Sequence, residues 1–215
     1  MPSKENHLEI TKTVRFHTLG NLNEQTKNVW LVLHGYAQLP QFFIRKFECI
    51  NKPNNFIIAP EGIHRLYVKG SSGRVGASWM TKEDRANDIK DYINYLNQLL
   101  DQYNLDGKKL NLLGFSQGGA TASRFAALGN YKIDNFILWA CVFPPDIQFE
   151  NSEKFKNSKN FFVVGNEDEF LNEGAIKKQV EQMNSLNLEP NLIEFKGNHN
   201  IHTETLVKLE EEINH

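Results

Sequence analysis

Short apolar runs alternate with stretches of helical periodicity along most of this chain, and that alternation restricts the fold more than any other feature. Val29 to Leu33 reads Val-Trp-Leu-Val-Leu, is rich in β-branched and aromatic residues, and is bounded by turn-forming residues. Phe56 to Ala59, Leu110 to Leu113, Phe136 to Ala140 and Phe161 to Val164 repeat the pattern, and Leu192 to Phe195 repeats it more weakly. Each reads as a short buried strand. Residues 8 to 17 alternate instead, as expected of an antiparallel edge strand. Helical patterns fill the gaps. Arg85 to Tyr103 places Ile89, Tyr92, Ile93, Leu96, Leu99 and Leu100 on one face, with Asp84 as its N-cap. Gln117 to Leu128 is small and apolar, with Gly129 to close it. Ala175 to Leu186 and Glu204 to Ile213 complete the set. Such an order predicts an α/β fold, with a mostly parallel central sheet and helices on both faces. Ligands in such sheets bind at the carboxyl ends of the strands. A functional residue is therefore expected just after a predicted strand.

The strongest candidate passes that test. Gly114-Phe-Ser-Gln-Gly-Gly119 follows the Leu110 to Leu113 run and opens the Gln117 to Leu128 helix. This is G-x-S-x-G in the strand–turn–helix setting that gives the pattern its meaning; the bare spacing alone is weak. A turn this tight strains the backbone of Ser116, and side chains at positions 114 and 118 would collide, so both are glycine. The serine hydroxyl then projects at a helix N-terminus, where N–H groups and the helix dipole favour negative charge. Such a place can hold the oxyanion of an acyl-transfer intermediate.

Two further residues follow strands. Asp168 ends the run Phe161-Phe-Val-Val-Gly-Asn-Glu-Asp168, flanked by Glu167 and Glu169 as competing acids. His199 ends Phe195-Lys-Gly-Asn-His199; its nearest rival, His202, falls where the last helix begins and reads as a cap or solvent-facing residue. An acid beside a histidine fixes its tautomer and stabilises its charged form. The chain order Ser116, Asp168, His199 is that of the α/β-hydrolases, unlike chymotrypsin or subtilisin. His34-Gly-Tyr36 follows the Val29 to Leu33 strand. An oxyanion hole takes one backbone N–H from the residue after the nucleophile and one from an early loop, which places Gln117 and Tyr36 there. Their contribution is backbone, so side-chain identity is not expected to matter. His34 reads as a residue that ties its loop down.

Composition narrows the class. A chain of 215 residues with 40% hydrophobic residues can bury one core, so a single domain spanning 1–215 is expected. The formal charge of −2 leaves no electrostatic footprint for nucleic acid. Two cysteines, Cys49 and Cys141, fit a reducing compartment better than a disulfide framework. The opening Met-Pro-Ser-Lys-Glu-Asn-His lacks the apolar core of a signal peptide, and no apolar stretch is long enough to span a membrane. A cytoplasmic location is the expectation.

With these residues in hand, the chain resembles the α/β-hydrolase superfamily, and within it the phospholipase/carboxylesterase group that includes acyl-protein thioesterases and small bacterial carboxylesterases. The resemblance rests on Leu33-His-Gly-Tyr36, Gly114-Phe-Ser-Gln-Gly-Gly119, Gly165-Asn-Glu-Asp168 and Gly197-Asn-His199, and extends from residue 28 to the C-terminus. It implies serine esterase or thioesterase chemistry with Ser116, Asp168 and His199 as the triad, Tyr36 and Gln117 as oxyanion donors, and neither metal nor organic cofactor. There are departures. The first loop reads Gly35-Tyr-Ala-Gln-Leu-Pro where thioesterases of the group carry Gly-x-Gly-Asp, and residues 61–80 are unlike theirs. These differences bear on protein depalmitoylation more than on hydrolysis itself.

Substrate choice is expected to come from loops. Residues 61–80 read as a long, glycine-rich connection whose Tyr67, Trp79 and Met80 are candidates for an acyl pocket, with Trp79 equally a core anchor. Arg65, Lys69 and Arg74 read as solvated charges. Phe143, Phe170 and Leu171 are candidates for apolar walls. With no large lid domain, an open cleft and small to medium ester substrates are expected. The alternatives are a thioesterase or lysophospholipase with a long acyl groove, and a non-catalytic binding protein of the same fold.

Overall fold

The computed structural model describes residues 2–147 and 158–214. Its centre is a seven-stranded sheet. The chain runs β1 (Phe16–Leu19), β2 (Asn28–Leu33), the short helix α1 (Pro40–Phe43) with a 3₁₀ segment (Ile44–Ile50), then β3 (Asn55–Pro60). Next come β4 (His64–Tyr67), β5 (Val75–Ser78), α2 (Arg85–Leu100), β6 (Lys109–Phe115), α3 (Gln117–Leu128) and β7 (Asn135–Trp139). β8 (Lys159–Gly165), α4 (Glu173–Ser185), β9 (Asn191–Phe195) and α5 (Thr203–Asn214) close the order. Spatially the sheet reads β1-β3-β2-β6-β7-β8-β9. Among the described strands of this sheet only the β1–β3 pairing is antiparallel.

The apolar runs are continuous because the central strands are covered on both faces. In β2, Val29, Leu31 and Leu33 join the apolar layer of α2, α3 and α4, beside Tyr92, Leu96, Phe125 and Met183. Trp30 and Val32 join the opposite layer, with Phe43, Phe47, Leu206, Leu209 and Ile213. Period-two geometry thus sends one strand's side chains into two cores. β9 was the weakest of the strand signals because it is an outer strand with only Phe195 fully buried. Among the described residues no helix is long and apolar enough to cross a membrane.

Several local expectations need correction. The edge strand is antiparallel, but it covers Phe16–Leu19 and not residues 8–17; Leu8 and Ile10 stand 87% and 80% exposed. Their alternation has no sheet partner to act on. Asp84 occupies the N-cap position of α2 in a left-handed conformation, φ +46°, without capping it. Its carboxylate accepts from the Asn87 amide instead, at 2.9 Å and 3.1 Å. Helix α2 ends at Leu100, and Tyr103 beyond it packs edge-on against Phe56. Gly129 closes α3 with φ −67°, so it is not a left-handed cap. The 61–80 segment is not an unstructured loop: β4 and β5 pair as an antiparallel hairpin. Lys69 and Arg74 are exposed, but Arg65 is no free charge, because it joins Arg15 in pairing with the buried Glu61.

Candidate active site

The carboxyl ends of β2, β6, β7, β8 and β9 converge on one cavity of about 510 Å³, whose lining includes Tyr36, Ser116, Gln117, Phe170, Leu171 and His199. Ser116 sits between β6 and α3 with φ +54° and ψ −121°, a sparsely populated conformation costing about 1–3 kcal/mol. Its neighbours hold it there. Its N–H donates to the Trp139 carbonyl at 3.0 Å, and its carbonyl accepts from Gly119 N–H at 2.9 Å. The flanking glycines are required by contact. A Cβ on Gly114 would lie 2.4 Å from the Gly118 carbonyl oxygen, and one on Gly118 would lie 2.2 Å from that of Leu33.

His199 is fixed from two sides. Its Nδ1 donates to Asp168 Oδ2 at 2.8 Å, which selects the tautomer whose Nε2 is the accepting nitrogen of the neutral ring. Its ring packs on Phe115 at 4.9 Å and edge-on to Phe170 at 4.7 Å. The Asp168 side chain is wholly buried, and its other oxygen accepts from Phe170 N–H at 2.8 Å and Leu171 N–H at 3.2 Å. That three-residue turn both aims the carboxylate and sets Phe170 and Leu171 along the cavity. The competing acids Glu167 and Glu169 are exposed. The β8 and β9 ends are joined by Asn166 N–H to Phe195 and Glu167 N–H to Gly197, both at 2.9 Å. His202 stacks on Phe195 and bonds Thr205 at the start of α5, outside the cavity lining. Among the described residues the Ser116 hydroxyl has no hydrogen-bond partner, so Ser116 and His199 meet by lining the same cavity and not through a formed bond.

The N–H groups of Tyr36 and Gln117 donate to no acceptor among the described residues, and both residues line the cavity. His34 fastens the first loop from below. It is fully buried, its Nδ1 meets the Gly35 carbonyl at 2.8 Å, and its Nε2 accepts from Gly62 N–H at 2.9 Å. Burial lowers its pKa to about 4, which keeps the ring neutral and able to accept that bond.

The substrate-wall expectations divide. Phe170 and Leu171 line the cavity. Tyr67, Trp79, Met80 and Phe143 do not. Tyr67 points from the hairpin and is half exposed. Trp79 is fully buried, and its indole N–H donates to the His34 carbonyl at 2.8 Å, so it anchors the loop from within. Met80 packs against the core beside Arg124. Phe143 lies under the surface, its N–H bonded to Gln179 Oε1 at 2.6 Å. The stretch after β7 does reach the cavity, through Ala140, Cys141 and Val142, which stand nearer the strand end. Applying the strand-end rule strictly would have selected them over Phe143. Phe115 and Ala120 also line it, one beside the serine and one a helical turn beyond. The described residues hold one group able to gather a metal ion, Glu5, His7 and Asp84, which is exposed and outside the cavity.

A search of curated protein sequences found no match. Solved structures show the fold widely. Zea mays acyl-protein thioesterase 2 superposes with a TM-score of 0.74 at 16% identity, covering 93% of this chain and 97% of that one. Esterase PE8 gives 0.68 at 18% identity, covering 94% and 100%, and the Bacillus cereus carboxylesterase gives 0.66 at 13%, covering 94% and 93%. At such identities the likeness speaks for the α/β-hydrolase fold alone. The family is set by sequence: the model described as "Serine hydrolase (FSH1)" matches residues 24–208, a span that holds the serine elbow, Asp168 and His199, and the chain belongs to the FSH1 serine hydrolase family.

Proposed function

We propose that the chain is a serine carboxylesterase acting on small to medium acyl esters through Ser116, His199 and Asp168. The observation that carries this is the convergence on one cavity of a strained serine elbow, a histidine held by a buried carboxylate, and two unengaged backbone N–H groups. In the reaction, His199 Nε2 takes the Ser116 hydroxyl proton as the oxygen attacks the ester carbonyl. Asp168 stabilises the imidazolium that forms. The developing oxyanion is held by Tyr36 and Gln117 N–H, each donor being worth about 3 kcal/mol in such sites. His199 returns the proton to the leaving alcohol, which breaks the C–O bond and leaves the acyl group on Ser116. Water, activated by the same imidazole, then releases the acid and restores the serine.

The cavity supports the substrate reading. Its volume falls in the range of small-molecule sites, and Ala120, Cys141, Val142 and Leu171 give it an apolar wall. A thioesterase or lysophospholipase with a long acyl groove is the second reading; Tyr36, Val142 and Phe170, 59%, 55% and 69% exposed at the cavity, give a longer chain an apolar surface to leave along. The test is hydrolysis of p-nitrophenyl esters of graded length. We expect kcat/KM to peak between butyrate and octanoate and to vanish in Ser116→Ala. A peak at palmitate favours the second reading. Failure of the folded wild-type protein to react with a fluorophosphonate probe would leave a non-catalytic binding protein.

A further inference from the structure

The side chain of Gln117 and the segment Ala77–Trp79 are joined in a way that an oxyanion hole built only from backbone does not require. The Gln117 carboxamide donates through Nε2 to Ser78 Oγ at 2.9 Å and to the Met80 carbonyl at 3.1 Å. Its Oε1 accepts from Trp79 N–H at 3.2 Å. This amide thus binds residue 117 to the end of β5, across 37 to 39 positions of sequence. The same short segment grips the loop that carries Tyr36. Ala37 N–H donates to the Ala77 carbonyl and Ala77 N–H to the Gln38 carbonyl, both at 2.9 Å. Trp79 Nε1 donates to the His34 carbonyl. Ala77, Ser78 and Trp79 are all fully buried. The approach is close enough to need glycine at position 76, where a Cβ would lie 2.4 Å from the Ala37 carbonyl oxygen.

Tyr36 and Gln117 follow neighbouring parallel strands, β2 and β6, which share the register Leu33 to Gly114. That register ends before their N–H groups; past it Gly118 packs on the Leu33 backbone, and the 77–79 segment adds hydrogen bonds to both turns. We infer that Ala77–Trp79, clamped by the Gln117 carboxamide on one side and by the 34–38 loop on the other, is a brace that fixes the spacing of the two oxyanion donors. Gln117 then has two parts: its backbone N–H belongs to the hole, and its side chain is a positioning group. The inference rests on the esterase reading, because it assigns a role within that reaction. An oxyanion donor acts through its placement relative to the transition state, and a displacement near 1 Å can cost on the order of a hundredfold in rate.

Gln117→Met keeps the length and the backbone N–H but removes every bond to the brace. We expect kcat to fall about tenfold to a hundredfold with KM within about twofold, the partition of an interaction made in the transition state. The affinity of an alkyl boronic acid, which forms a tetrahedral adduct on the serine, falls in parallel. Trp79→Phe, which keeps an aromatic ring there but loses the indole N–H and its bond to His34, is the second variant and decides the matter if Gln117→Met does not fold. It should show the same split at a smaller size, roughly threefold to tenfold. A kcat within twofold of wild type, a loss carried wholly by KM, or unchanged boronate affinity in a folded variant overturns the inference. Ser116→Ala separates the two layers: if it retains wild-type activity the esterase reading itself fails, whereas an inactive Ser116→Ala beside a fully active Gln117→Met removes the brace alone.

Discussion

His34 is a fully buried titratable ring whose state is readable from its bonds. Nε2 accepts from Gly62 N–H, Nδ1 faces the Gly35 carbonyl, and a proton on Nε2 would break the first of these. Burial is the main cause that lowers its pKa from 6.5 to about 4. The folded state therefore binds fewer protons than the unfolded chain between those values. Stability attached to His34 is fully present above pH 6.5 and is lost as pH falls toward 4. The difference amounts to about 3 kcal/mol. Urea denaturation at pH 7.0 and pH 4.5 should show that loss, and His34→Gln should flatten it; equal slopes in the two proteins would remove His34 from the account. At this scale the sequence was informative about placement wherever a residue follows the strand it terminates: Ser116 and His199 line one cavity, Asp168 bonds His199 behind it, and His34 ties its loop down. It pointed to Gln117 for its backbone N–H alone and to Trp79 as either a pocket wall or a core anchor, and it did not reach their side-chain partners. Their partners lie 38 and 45 residues away, and no local pattern announces a side-chain amide or an indole N–H that spans such a distance.

At the scale of elements, glycines separate close packing from mere flexibility. Gly118 opens α3 against β2, and the atom a new Cβ would strike is the Leu33 backbone, at 2.2 Å. β2 lies in the middle of the sheet, paired on both sides, and has no freedom to retreat. Gly174, in the first turn of α4, would meet only the Asn172 side chain, at 3.6 Å. Gly118→Ala should therefore destabilise by at least about 2 kcal/mol, in the range of core overpacking. Gly174→Ala should stabilise by about 0.5–1 kcal/mol through the unfolded chain. Melting curves of both variants check the pair, and opposite signs are expected. The central strands were legible because burial on both faces forces uninterrupted apolar runs. The hairpin was not: His64-Arg-Leu-Tyr is too short and too polar to stand out, and β5 is built of small residues because Gly76 must pass the Ala37 backbone. The 8–17 alternation misled for the converse reason, since a period-two pattern becomes a strand only where a neighbouring edge receives it.

Across the whole molecule the two ends of the sheet do different work. Residues that line the cavity or stand directly behind it follow the carboxyl ends of strands. The amino ends carry a buried polar cluster in their place. Asn28 and Asn55, the first residues of β2 and β3, meet α5 through Glu210 and Asn214. Glu210 is fully buried and accepts from Asn55 at 2.8 Å, from Asn214 at 2.7 Å and from Lys52 at 2.5 Å. Asn55 also accepts from the Trp30 indole at 3.3 Å, which ties the cluster to the core. Removing the carboxylate with Glu210→Ala frees Lys52, which is 41% exposed and can return to water, and leaves the exposed Asn214 amide its bond to the Glu210 carbonyl, but it takes the partner of one N–H of the buried Asn55 amide, whose other N–H keeps the Ile50 carbonyl. A buried donor left without a partner costs about 1–3 kcal/mol. The variant should lose about 1–3 kcal/mol, a fall in melting temperature of roughly 3–10 °C for a chain of this size. Below its own melting transition its esterase kcat and KM should match wild type, because the parallel strands keep their register whether or not their far ends are pinned. A kcat loss at full folding would mean that the amino-end cluster also sets the geometry of the cavity, and that the two ends of the sheet are mechanically coupled.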